Sequence, residues 1–174
     1  MKKTINIKNI EEAEILLNAY KKKKYSPIDI RLSNTHLTKI NTLVGINLFS
    51  KNDLFVSSDT LFDIMQPIGG KGRHNYHALT PKELVEVFNS FVDPYCLYIT
   101  ELGRLGIIST ITSETGLPLI SIIEIGAGLI GNVRANINKM ITIYPKDNLQ
   151  RYLKSRKVVS VLYINENKDP ENKK

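Results

Sequence analysis

From residue 95 onward the chain is a succession of short β-branched runs, and this limits the fold more than any other feature. "YCLYIT", "LGIISTIT", "LPLISIIEIG", "NVRANINKMITIY" and "VVSVLYIN" are separated by turn-forming residues, the pattern of consecutive strands. "SETG" between the second and third runs has the composition of a hairpin turn. A short helical stretch, "DNLQRYLKSRK", interrupts before the last strand.

The first part of the chain has a different character. "NIEEAEILLNAYKKKK", residues 9–24, reads as a helix with Asn9 as cap, acids in its first turn and lysines in its last, as the macrodipole favours. "SPIDIRLS" is a short extended piece, after which Ser33 caps a second helix to about Val44. "SSDTLFDIMQ" begins a third. The fourth is the best marked: Thr80 as N-cap, Pro81 at the first helical position and Glu83 completing a capping box. Leu84, Val85, Phe88 and Phe91 form its apolar stripe. Asp93-Pro94 stops it, because a residue before proline is pushed out of the helical region. Helices first and strands after predict an α+β fold, N-terminal helices followed by an antiparallel sheet of four to five strands. The expected organisation is a helical extension over 1–25, one domain over 26–168 and a frayed tail over 169–174.

At 174 residues, 42% hydrophobic and 24% charged, the chain can bury a core without staples. Its single cysteine, Cys96, excludes an internal disulfide and a thiolate metal cluster, and reads as a buried small hydrophobe. The formal charge of +7 suits a polyanionic partner. An anionic membrane surface competes for that role, but no run of about 18 apolar residues is present to span a bilayer. No secretory signal is visible, so the expected location is the cytoplasm, reached where the protein is made or through delivery by other machinery.

Two of the three histidines, His74 and His77, lie just before the best-marked helix, in and after the basic loop "PIGGKGRHNY". Glycines and Arg73 give this loop some likeness to a phosphate cradle, although "GGKGR" is not a Walker sequence. The run 133–144 is the second candidate. With alternating faces, Arg134, Asn136, Asn138, Met140, Thr142 and Tyr144 share one side. Guanidinium, amide, hydroxyl and phenol suit a phosphodiester better than they suit a merely solvated face. Arg134 and Tyr144 are ten positions apart, ~33 Å in a straight strand. One phosphate therefore reaches both only if the strand bends or bulges. In the preceding strand Glu124 shares a face with Ile120 and Ile122, which places it at a solvated strand end or beside a cation.

Other chemistries have less behind them. His74 and His77 form the only close histidine pair and lack a zinc-protease spacing. No "GxSxG" supports a serine hydrolase. "STITSE", residues 109–114, is only faintly similar to ADP-ribosyltransferase elements, and the order does not continue.

"HALTPKELVEVFNSFVDPYCLYI" and "NINKMITIYPKDN…YLKSRKVVSVLYINENK" together resemble a known group. It is the phage MuF-type C-terminal domains and the related phage nucleases of the barnase/EndoU/colicin/RelE-like fold, over roughly residues 28–168. The resemblance implies metal-independent RNA cleavage by 2′-OH transesterification, with no cofactor and no metal. It maps the family's histidine onto His77 and its strand-end hydroxyls onto Thr142 and Tyr144. Arg134 follows as a phosphate ligand, with Arg73, His74 and Asn138 as further substrate contacts. The implied partners are RNA, tRNA among the candidates, and a cognate inhibitor protein, without a membrane. A non-catalytic interaction module of a phage or mobile element, binding a host protein or nucleic acid, is the competing expectation.

Overall fold

The structure, a computed structural model, describes residues 3–6, 11, 15, 17–18, 28–31, 34–49, 53–69, 76–126, 129–130, 133–134 and 137–172. Strands β1 (Lys3–Asn6), β2 (Ile28–Arg31) and β3 (Asp53–Val56) come from the first third of the chain. Helices α1 (Asn34–Val44), α2 (Ser58–Met65) and α3 (Pro81–Ser90) are set among and after them. Then follow β4 (Cys96–Thr100), β5 (Leu105–Thr112) and β6 (Pro118–Glu124), and a small hairpin of β7 (Leu129–Ile130) and β8 (Val133–Arg134). Strand β9 (Asn138–Pro145), helix α4 (Leu149–Leu153) and β10 (Val158–Ile164) complete the fold.

Eight strands form one sheet in the order β1-β2-β3-β9-β6-β5-β4-β10. The α+β class is as expected, and the five strands β9-β6-β5-β4-β10 are antiparallel throughout. The sheet is nevertheless larger than four or five strands and is mixed. β1 pairs parallel with β2, and β3 parallel with β9. The three added strands have four residues each, too short to show alternation. Among the described residues of 1–25, β1 joins the sheet, and Leu17, in a helical segment, is fully buried.

α3 forms where its local signals place it. Thr80 Oγ1 accepts the Glu83 N–H at 3.1 Å, and Glu83 Oε2 accepts the Thr80 N–H at 2.7 Å. The other Glu83 oxygen, Oε1, takes the Glu114 N–H at 2.6 Å. A buried carboxylate thus fastens the helix start to the β5–β6 turn, the "SETG" hairpin. Leu84, Val85, Val87, Phe88 and Phe91 enter the main core with α1, α2 and one face of the sheet: Leu97, Leu105, Ile107, Leu119, Ile123, Met140 and Ile143.

The opposite face carries a smaller cluster of Tyr95, Cys96, Tyr98, Ile108, Ile120 and Ile122, covered at one end by Leu149 and Tyr152 around α4. Cys96 is fully buried, and burial first, then Glu166, pushes its thiol up to about 12, so it offers no thiolate at neutral pH. Gly106 makes this face possible. A Cβ there would stand 2.0 Å from Cζ of Tyr98, so only glycine lets the phenol ring lie across β5.

Of the tail expected to fray, residues 169–172 are built into the fold, and 173–174 lie outside the described residues. Asp169 and Pro170 are buried, and Glu171 Oε2 accepts the Leu149 N–H at 3.0 Å at the start of α4. Lys168 is ion-paired with Asp93, tying the chain's end to the stop of α3. Among the described residues no helix is long and apolar enough to cross a membrane.

Candidate functional site

A bulge decides which side chains of β9 share a face. Ile122 of β6 pairs with Thr142, but Ile123 pairs with Met140, so Ile141 has no partner on β6. One extra residue reverses the alternation. Met140 and Ile143 both face the main core, whereas Ile141 and Tyr144 lie against the second cluster. The expected continuous row from Arg134 to Tyr144 therefore breaks between Met140 and Thr142.

Asn138 falls on the core side of that break. It is 4% exposed, and its Oδ1 accepts the Gly126 N–H at 3.2 Å. It ties down the backbone just after β6 and lies buried rather than at an open surface. Arg134 belongs to β8, which pairs with β7 in a separate two-stranded sheet. Arg73 and His74 lie outside the described residues.

His77 and Tyr144 come together, and two elements bring this about. β3 pairs with β9 only at Asn138 and Lys139, so β9 runs on past the end of β3. The segment before α3 is held to the end of α2 by Ala78 N–H to Gln66 O at 2.7 Å and Leu79 N–H to Ile64 O at 3.0 Å. Ala78 takes a left-handed backbone, φ 54°, to meet that constraint. His77 then stands with its ring centroid 5.8 Å from that of Tyr144, the planes tilted by 41°. Burial lowers the His77 pKa, so the imidazole is neutral at pH 7 and free to accept a proton.

Tyr144 is the outer member of a phenol chain. Its hydroxyl is 3.1 Å from that of Tyr152, which is 2.9 Å from that of Tyr98. Burial, then the neighbouring phenols, raises Tyr98; burial, then the Tyr152 hydrogen bond, raises Tyr144. Both stay protonated at neutral pH and act as donors.

Beside these groups lies a cleft of about 190 Å³ lined by Thr142, Tyr144, Tyr152, Ile141, Lys157 and Arg104 among others. The β4–β5 turn forms one wall, closed by Thr100 N–H to Arg104 O at 2.8 Å with Gly103 at φ 72°. Two polar atoms in the walls, Thr142 Oγ1 and Arg104 Nε, are buried without a hydrogen-bond partner. Glu124 sits at its strand end with Oε1 4.0 Å from Arg104 Nε, too far for a hydrogen bond. The cleft thus offers protonated phenols, an unsatisfied hydroxyl, the cations Arg104 and Lys157 and the carboxylate of Glu101, with a neutral imidazole against Tyr144. That set can take a proton, donate hydrogen bonds and offset negative charge.

Sequence reasoning missed Tyr98, Tyr152, Arg104 and Lys157. Only Gly106 inside a strand pattern hinted at them, because such a glycine marks a close approach. Among the described residues no group of three or more His, Cys, Asp or Glu side chains is arranged to hold a metal ion. Compared with protein-family models, curated proteins and solved structures, the chain matches none.

Proposed function

We propose that the cleft beside His77 cleaves RNA without a metal, in a domain of the barnase/EndoU/colicin/RelE-like kind. The observation that carries this reading is the 5.8 Å ring contact of His77 with Tyr144, which itself lines a cleft together with Thr142 and two cations. The five-stranded antiparallel run behind helices supports the fold part of the proposal.

In the proposed reaction the 2′-oxygen attacks the adjacent phosphorus and forms a 2′-O–P bond while the P–O5′ bond breaks. Neutral His77 takes the 2′-OH proton. Thr142 and the cations Arg104 and Lys157 meet the charge developing on the phosphate oxygens. Tyr144 gives a proton to the departing 5′-oxygen, since a phenol is a stronger acid than the alcohol formed, and Tyr152 supports it through their hydrogen bond. The products are a 2′,3′-cyclic phosphate and a free 5′-OH. Arg134, in the small hairpin, keeps at most a contact to a neighbouring phosphate.

The test is incubation of total RNA with the protein in EDTA, wild type beside His77→Ala, with end-group analysis. Cyclic-phosphate ends made by wild type alone support the proposal; intact RNA with both proteins removes it. A second reading, a non-catalytic interaction module, draws on β10. This edge strand exposes Val159 at 67% and Val161 at 44%, apolar surface of the kind a protein partner covers. Intact RNA with a stable protein complex would favour it.

A further inference from the structure

The cleft at Tyr144 does not stand alone. A second cavity, about 330 Å³, is lined by Lys146, Asn148, Arg151 and Lys157 among others, and shares Tyr152 and Lys157 with the first. A third, about 550 Å³, is lined by Gln150, Arg151, Lys154 and Ser155, and shares Arg151 and Ser155 with the second. The three therefore run on from one another around α4. Lys157, Lys146, Arg151 and Lys154 are spaced along the second and third. The one acid lining either is Asp147, 3.7 Å from Lys146 with its side chain 77% exposed.

We infer that these cavities form one track for a single-stranded nucleic acid, with successive phosphates at Lys157, Lys146–Arg151 and Lys154, leading away from the Tyr144 cleft. This rests on the reading of the partner as RNA and adds where the strand runs and which residues hold it. A row of cations along a concave path matches a flexible chain that carries one charge per nucleotide. A duplex carries its phosphates on the outside of a wide rod and does not follow such a path. Tyr152 is 7% exposed, so its ring is no platform for a base. Affinity comes from phosphate contacts, which makes binding insensitive to sequence and sensitive to salt.

The test uses oligodeoxythymidylate of about ten nucleotides, which has no 2′-OH and cannot be cleaved, with thymidine 3′-monophosphate as the short comparison. Both are titrated against wild type and the double variant Arg151→Glu/Lys154→Glu. These side chains are exposed, so the fold is kept, and circular dichroism checks it. The expected result is at least about tenfold weaker oligomer binding by the variant, with unchanged monophosphate binding. A threefold rise in salt should weaken wild-type oligomer binding about tenfold, for about three phosphate contacts at ~0.7 each. No oligomer binding at low salt, equal affinity of wild type and variant, or equal losses for oligomer and monophosphate would each overturn the track. So would displacement of the oligomer by phosphatidylserine vesicles that bind with the same dependence on Arg151 and Lys154. Oligomer binding through the track with RNA left intact upholds it and removes the cleavage proposal. RNA cut equally well by a variant that binds the oligomer like wild type removes the track and leaves cleavage standing.

Discussion

The two faces of the antiparallel sheet come from the same strands yet do different work. On one face Leu97, Ile107, Leu119, Ile123 and Met140 meet α3 and its neighbours in a large apolar core. Some of its polar groups answer one another locally, as where Ser90 Oγ donates to Val87 O at 2.7 Å and lies 3.0 Å from Ser109 Oγ, while Ser121 Oγ is buried there without a hydrogen-bond partner. On the other face Ile108, Ile120 and Ile122 lie under tyrosines, with Leu149 and Tyr152 of α4 packed against them. There the phenols are bonded to each other, while Thr142 Oγ1 and Arg104 Nε have no partner. The Ser121 hydroxyl lies inside a packed core, whereas Thr142 Oγ1 and Arg104 Nε line a cleft together with Lys157, and unsatisfied atoms at a cleft have the character of a binding surface.

The comparison predicts that damage to the two faces separates stability from activity. The largest effect is expected from Phe88→Ala, which empties a fully buried site in the main core. It should cost about 3–5 kcal/mol in chemical denaturation, while cleavage per folded molecule stays as in wild type. Next comes His77→Ala, which should lose about 100-fold or more in cleavage, or ~2.7 kcal/mol of barrier. Its denaturation midpoint should move little, and a large stability loss there would erase the distinction between the faces.

Tyr152→Phe tests where the distinction blurs. The variant removes the hydroxyl between Tyr98 and Tyr144 and should cost about 1–3 kcal/mol of stability, with a smaller loss of cleavage than His77→Ala. No change in stability would mean that the phenol chain is not holding the second face together.

The smallest effect is on pH. Burial lowers the His77 pKa below 6.5, so the unfolded chain binds its proton more readily. Its contribution is fully present above pH 6.5 and is lost as pH falls through the folded value. Stability against pH for wild type, less that for His77→Gln, should show this acid-side loss and be flat above pH 6.5. The acid limb of cleavage should likewise lie below pH 6.5.

Local chemistry was the readable part of this sequence. Thr80, Pro81 and Glu83 specify the start of α3 within four residues, and Asp93-Pro94 its end. The five long strands were readable because runs such as "LGIISTIT" are unambiguous. β1 and β3 were not, since four residues give no periodicity and their parallel partners are distant in sequence. In the candidate site, the resemblance pointed to His77, Thr142 and Tyr144, but periodicity alone put Asn138 on the face of Tyr144, whereas it is buried on the core side of the bulge. A bulge is a property of the pairing with β6, and nothing in the β9 sequence announces it. Tyr98 and Tyr152 stand 54 residues apart, and only folding makes them neighbours.

The unpaired Ile141 acts as a change of phase in a two-beat pattern. In a regular strand Met140 and Tyr144 would keep step, both inward or both outward. With one beat inserted, the same short strand turns Met140 and Ile143 to the main core and Ile141 and Tyr144 to the other face. If β9 kept Ile141 but paired regularly with β6, Thr142 and Tyr144 would fall on the face of Met140, and the phenol that His77 now meets would turn toward the main core. The register of β9 on β6, counted in single residues, is therefore as much a determinant of the cleft as any side chain within it.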